Sequence, residues 1–153
     1  MQRLRDHLVF WCLLAVQVVG SYVLIWTWGP TYHRLISTGT MTTSPKQFGV
    51  SLVAIGVMQA AYWPAHALKQ RLQFRSNVLL GHIMICIGEF SLFFAAAVTT
   101  VVLFDHFRES PRIPWKLAVL ALTLFAVSCF KYQLMSVGEK LIDLAKRQVA
   151  AER

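Results

Sequence analysis

Four long apolar runs constrain the fold of this 153-residue chain more than any other feature. They cover roughly residues 8–28, 48–64, 78–104 and 113–135. Each run approaches the ~20 residues that a helix needs to cross the hydrocarbon core of a bilayer. The formally charged side chains inside these runs are Glu89, Lys116 and Lys131. The pattern predicts a single all-α integral membrane domain with four transmembrane helices.

The composition and the lack of catalytic motifs indicate which classes of function the chain does not belong to. Hydrophobic residues make up 56% of the chain and charged residues 14%, and no connection between the runs is long enough to build a core of its own. The first run is too long for a cleaved signal peptide, and Trp26 and Trp28 stand where a cleavage site needs small residues. The sequence contains no P-loop, nucleophile elbow or zinc motif. We therefore expect a protein that is not an enzyme and that holds neither a cofactor nor a metal.

Lysine and arginine gather in the amino-terminal tail, the connection between the second and third runs, and the carboxyl-terminal tail. With four spans these segments share one side, which the positive-inside rule assigns to the cytoplasm. We expect a multi-pass protein of the bacterial inner (plasma) membrane with both termini cytoplasmic. The net charge of +8 predicts contact with anionic lipids of the bilayer rather than nucleic acid, because aromatic residues do not interleave with the charges. The predicted anionic lipid or phosphate contacts are Lys69, Arg71 and Arg75.

Glu89 is the most unusual residue of the third run, because it lies roughly 16 Å along the predicted helix. A charge at that depth costs at least ~2.5 kcal/mol unless it is paired, neutralised or hydrated. If spans two and three form a hairpin centred on Phe74, Gln59 faces Glu89 and His66 faces His82. The predicted intramembrane polar site therefore comprises Glu89, Gln59, His82, His66 and Gln17.

Two further patterns concern helix packing. Gly81, Gly88 and Ala95 recur at a heptad spacing that allows close helix approach, which predicts that span three is the central helix. After the fourth run, apolar residues continue at helical spacing and predict a cytoplasmic amphipathic helix over residues 136–153, bent at Gly138. The apolar stripe of this tail helix needs cover from a partner subunit, the connection between spans two and three, or the membrane surface.

Three functions are compatible with these patterns. The favoured one is a non-catalytic accessory or scaffold subunit of a larger membrane complex, since the chain has a small-residue helix face and an amphipathic tail but no soluble domain. The first alternative is a small oligomeric carrier or channel that uses Glu89 for a proton, a cation or a lipid-linked phosphate. The second is a b-haem membrane anchor that uses His66 and His82, which requires facing imidazoles on separate helices. Partners would be other membrane subunits or further copies of the chain.

Overall fold

The computed structural model describes residues 2–39, 44–109 and 114–151, and these residues form four helices. They are α1 (Gln2–Thr38), α2 (Pro45–Arg71), α3 (Val78–Glu109) and α4 (Pro114–Ala151). All four helices are long and apolar enough to cross a membrane. The predicted fold class, an all-α membrane-type protein with four long apolar helices, is confirmed.

Local signals fix where two of the helices begin. At the start of α2, the backbone N–H of Ser44 donates to Gln47 Oε1 at 2.8 Å, and Pro45 occupies the first helical turn, where its missing donor costs nothing. At the start of α3, the backbone N–H of Leu80 donates to Asn77 Oδ1 at 3.0 Å, as in an N-cap. Helices α1 and α2 continue through Pro30 and Pro64, beyond the apolar runs that predicted them.

Helix α4 packs on both α2 and α3, over the larger area on α3. Helix α1 packs on α2 and, over a smaller area, on α3. Within the described residues, α2 and α3 share almost no interface although they are consecutive in the sequence. The order around the bundle is therefore α1, α2, α4, α3. Both the predicted hairpin of spans two and three and the predicted central position of span three are wrong.

The reason lies in residues 72–77, which we call the hinge. They contain no helix, and an extended segment of this length can reach about 20 Å, enough to join diagonally opposed helices. Phe74 turns into the bundle, with its ring centroid 5.5 Å from that of Phe10 and 6.2 Å from that of His7 on α1. The hinge therefore crosses the end of the bundle instead of forming a tight turn.

The small residues of α3 face α4. A Cβ added to Gly81 would lie 2.7 Å from the carbonyl oxygen of Gly138, and one added to Gly88 would lie 3.4 Å from the Cα of Lys131. The prediction that this face allows close helix packing is confirmed, and α4 is the partner. Helix α4 runs without interruption through Gly138, and the absence of a side chain at this glycine permits close approach to α3. The predicted bend at Gly138 stays a prediction.

The tail helix is the continuation of α4, and its first turns belong to the core. Val137 and Leu141 are fully buried in a cluster with Phe10 and Phe130, and Phe74 of the hinge packs against that cluster. Further along, Ser76 Oγ donates to Gln148 Oε1 at 2.5 Å, which fastens the hinge to α4. The hinge and the neighbouring helices therefore cover the first part of the stripe that was predicted to need a partner, whereas Leu144 and Val149 further along are 37% and 55% exposed.

Candidate functional site

Glu89 forms an ion pair with Lys131 across the seam between α3 and α4. Lys131 Nζ lies 2.9 Å from Glu89 Oε2, and the two side chains are 23% and 52% exposed. The carboxylate therefore lies on the outer surface of the bundle. The predicted partners were wrong: Gln59 is on α2, which does not pack on α3, and the side-chain amide of Gln17 donates to Leu13 O of its own helix at 3.4 Å.

Gly88 lies beside this ion pair. A Cβ at Gly88 would lie 3.4 Å from the Cα and 3.5 Å from the Cγ of Lys131, which is ordinary van der Waals contact. The next residue of α3, Glu89, then lies at the edge of the seam within reach of the Lys131 ammonium. The ion pair thus spans the same α3–α4 seam in which Gly81 and Gly138 pack closely.

Exposed apolar side chains surround the ion pair on α3. Phe90 and Phe93 are 62% and 75% exposed, and Cys86, one turn before Glu89, is exposed as well. We call this surface the Glu89 face, and its members are Glu89, Lys131, Cys86, Phe90 and Phe93. The face combines two formal charges with aromatic rings that are mostly exposed in the described part of the chain.

The two histidines of the predicted site are not brought side by side. His66 lies on α2 and faces α4, with its ring centroid 5.6 Å from that of Tyr62 and 6.5 Å from that of Tyr132. His82 is exposed on α3, a helix that barely contacts α2. The facing arrangement that the haem hypothesis required is therefore wrong. Among the described residues, no group of three or more His, Cys, Asp or Glu side chains is placed to hold a metal ion.

The predicted basic contacts divide into one buried and two exposed residues. Lys69 is buried in the seam between α2 and α4, where its Nζ donates to Ser136 Oγ at 3.0 Å and lies 5.2 Å from the centroid of the Tyr132 ring. Arg71 ends α2 and is exposed, and Arg75 is exposed in the hinge. Lys69 therefore has an environment of its own and does not belong to a common surface patch.

Unpaired amides occupy the bundle interior. Gln17 on α1 and Gln133 on α4 are almost fully buried. Gln17 Oε1 and both polar side-chain atoms of Gln133 find no hydrogen-bond partner among the described residues, and the same holds for Gln59 Nε2 and His66 Nδ1. Each such atom costs roughly 1–3 kcal/mol if it stays unpaired. Sequence reasoning missed Gln133, although its spacing from Phe130 and Val137 places it on the buried face of α4.

Other polar contacts between helices are satisfied. Trp28 Nε1 donates to Ser51 Oγ at 2.9 Å, and Gln47 Nε2 donates to Thr31 Oγ1 at 2.7 Å, so both link α1 to α2. Hydrogen bonds of this kind fix the register of neighbouring helices in an apolar environment. They account for the polar residues of the α1–α2 pair in structural terms.

Four helices that are long and apolar enough to cross a membrane define a multi-pass, all-α protein of the membrane type, built as a four-helix bundle. No family model matches the chain, and no match is found among the curated proteins or the solved structures. Its function has to be inferred from its own residues.

Proposed function

We propose that this protein is a non-catalytic subunit of a larger complex in the bacterial inner membrane, and that a transmembrane helix of another subunit binds to its Glu89 face. The ion pair between Glu89 and Lys131 on the outer surface of the α3–α4 seam is the observation that carries the proposal. Both residues lie within helices that are long and apolar enough to cross a membrane.

The physical reason is the cost of leaving this pair in contact with lipid. Half of the Glu89 side chain is exposed, and acyl chains offer no hydrogen bonds to a carboxylate. A helix from another subunit removes that contact and can supply polar side chains to the remaining carboxylate lone pairs. Phe90 and Phe93 provide the aromatic surface that is common at the centre of protein interfaces.

The geometry favours a docking surface over a transport site. In a carrier that uses Glu89, the carboxylate of Glu89 must reach a water-filled path through the protein. The inward side of α3 is instead packed with Ala95, Val98 and Val102, all of which are buried. Glu89 also has a cation, Lys131, as its immediate partner, and this pairing already neutralises its charge.

The proposed orientation rests on the charges at one end of the bundle. The hinge, the start of α1 and the end of α4 lie at this end. The basic residues exposed there are Arg5, Arg75, Lys140 and Lys146. Under the positive-inside rule, such residues favour the cytoplasmic side. Both termini are therefore proposed to be cytoplasmic.

The test is the mass and subunit composition of the protein extracted in mild detergent. We expect the wild-type chain to migrate in a complex with at least one different polypeptide. Glu89→Gln should keep this complex because the amide can still form hydrogen bonds, whereas Glu89→Lys should release it by placing a second cation beside Lys131. Asp143→Lys is the matched control, since Asp143 is an exposed partner of Arg147 far from the Glu89 face.

Three results would contradict the proposal. The first is a wild-type chain that is monomeric in every mild detergent. The second is a complex that contains only copies of this chain, because the occupant of the Glu89 face would then be a second protomer. The third is loss of transport of an ion or lipid in Glu89→Gln, which would assign Glu89 to a carrier.

A further inference from the structure

We propose that Lys69 and Ser136, in the seam between α2 and α4, form a binding site for a phosphate-bearing anion, either a phospholipid headgroup or free phosphate. The site is separate from the Glu89 face, which lies across the α3–α4 seam. It does not depend on the proposed function.

The first support is the unbalanced charge of Lys69. The residue is buried, and its ammonium contacts a neutral hydroxyl, Ser136 Oγ, and the face of the Tyr132 ring. Within the described chain no carboxylate lies within ion-pairing distance of it. The lysine of the neighbouring seam, Lys131, does have a carboxylate partner. Burial of a cation without a counter-ion is costly, so an anion bound beside Lys69 would stabilise the folded protein.

The second support is the chemistry around Lys69. Lys140 lies one helical turn after Ser136 on α4, and its positive charge acts on Lys69. His66, one turn before Lys69 on α2, has a buried Nδ1 without a partner in the described part of the chain. A phosphate group has several acceptor oxygens and can bind an ammonium and a hydroxyl at once. The seam thus offers donors and positive potential, and the residues just named include no acid.

The third support is the position of the Lys69 site relative to the surface of the bundle and the lipid headgroups. Tyr132 and Lys140 are exposed and Ser136 is partly exposed, so the residues that flank the buried Lys69 ammonium reach the surface of the bundle. Tyr132, whose ring contacts the Lys69 ammonium, is an exposed aromatic residue, and such residues favour the headgroup region of a bilayer. A lipid phosphate at that depth could reach Lys69 while its acyl chains remain in the membrane.

The experiment uses the purified full chain in a neutral detergent. Thermal unfolding and binding are measured with added phosphatidylglycerol, phosphatidylcholine or inorganic phosphate. We expect phosphatidylglycerol to raise the melting temperature and the zwitterionic phosphatidylcholine to leave it nearly unchanged. If inorganic phosphate gives the same rise, the ligand is free phosphate; if only phosphatidylglycerol does, the ligand is a lipid headgroup.

Variants show whether the effect belongs to this site. Lys69→Met should weaken phosphatidylglycerol binding about tenfold or more, as expected for loss of a charged hydrogen bond. Without lipid, it should unfold at the wild-type temperature or above, because the buried charge is gone. Ser136→Ala, which keeps Lys69, should bind more weakly than wild type. Lys146→Met is the control, because it removes the same charge from an exposed position at the same end of the bundle.

Three outcomes would overturn the proposal. In the first, neither phosphatidylglycerol nor phosphate raises the melting temperature of the wild-type chain. In the second, Lys69→Met and Ser136→Ala both bind phosphatidylglycerol as tightly as wild type. In the third, Lys146→Met loses as much binding as Lys69→Met, which would mean a diffuse attraction to the basic surface.

Discussion

Gly81 on α3 and Gly138 on α4 meet backbone to backbone: a Cβ on Gly81 would lie 2.7 Å from Gly138 O, and one on Gly138 would lie 2.6 Å from Gly81 O. Carbonyl oxygens of a helix cannot move aside as a flexible side chain can. The distance between α3 and α4 at the hinge end is therefore set by the absence of two side chains. This close packing also holds the seam in which Glu89 pairs with Lys131.

The first prediction concerns this crossing point. We expect Gly138→Leu to lower the free energy of unfolding by about 1–3 kcal/mol, the usual cost of inserting atoms into a packed interface. Thermal unfolding in detergent measures the effect. Gly49→Leu is the control, because the space around a Cβ at Gly49 is open. Equal melting temperatures for the two variants would show that α3 and α4 do not pack closely at Gly138.

The second prediction separates the stability of the ion pair from its role in docking. Lys131→Leu leaves the Glu89 carboxylate unpaired and should destabilise the bundle by about 2 kcal/mol. The double variant Glu89→Leu and Lys131→Leu should be close to wild type in stability, since replacing both charges with apolar groups is often neutral. Unfolding of the two variants in the same detergent provides the measurement. If the double variant were less stable than Lys131→Leu, the two side chains would not be coupled as the 2.9 Å contact indicates.

The third prediction concerns the buried amides. Gln133→Met should be neutral or should stabilise the protein by about 1 kcal/mol, because the Gln133 amide has no hydrogen-bond partner among the described residues. The matched variant Gln47→Met should destabilise it by a similar amount, because the Gln47 amide donates to Thr31 at 2.7 Å. Unfolding experiments on both variants compare the two sites. A loss of stability in Gln133→Met as large as that in Gln47→Met would indicate a hydrogen-bonded role for Gln133.

The sequence was sufficient to predict the helices but not their neighbours. Apolar runs of membrane-spanning length dictate helices, because a lipid-exposed backbone must satisfy its own hydrogen bonds. The path of the hinge decides which helices pack beside α2. No local signal in the sequence shows that Phe74 of the hinge packs against the core beside Phe10. For this reason His66 and Gln59 were matched with residues of α3, whereas α2 packs on α1 and α4.

The partner of Glu89 could have been found from the other connection. Position 110 lies in the connection between α3 and α4, and Glu89 and Lys131 are equally far from it along the sequence. Because α3 and α4 do pack as an antiparallel pair, this equal spacing gives the contact that the structure contains. Lys69 could also have been placed, since it continues the buried stripe of Tyr62 and Ala65 on α2. Its basic neighbours Arg71 and Arg75 suggested a surface position instead.

The most direct test of the proposed docking surface is site-specific photo-crosslinking in the native membrane. A photoreactive residue is placed at Phe90 on the Glu89 face or at Val53 on the α1–α2 side, positions that are 62% and 68% exposed. We expect position 90 to give one discrete adduct with a different membrane polypeptide, and position 53 to give none. An adduct with a second copy of this chain, the same adduct from both positions, or no protein adduct from position 90 would contradict a partner subunit on the Glu89 face.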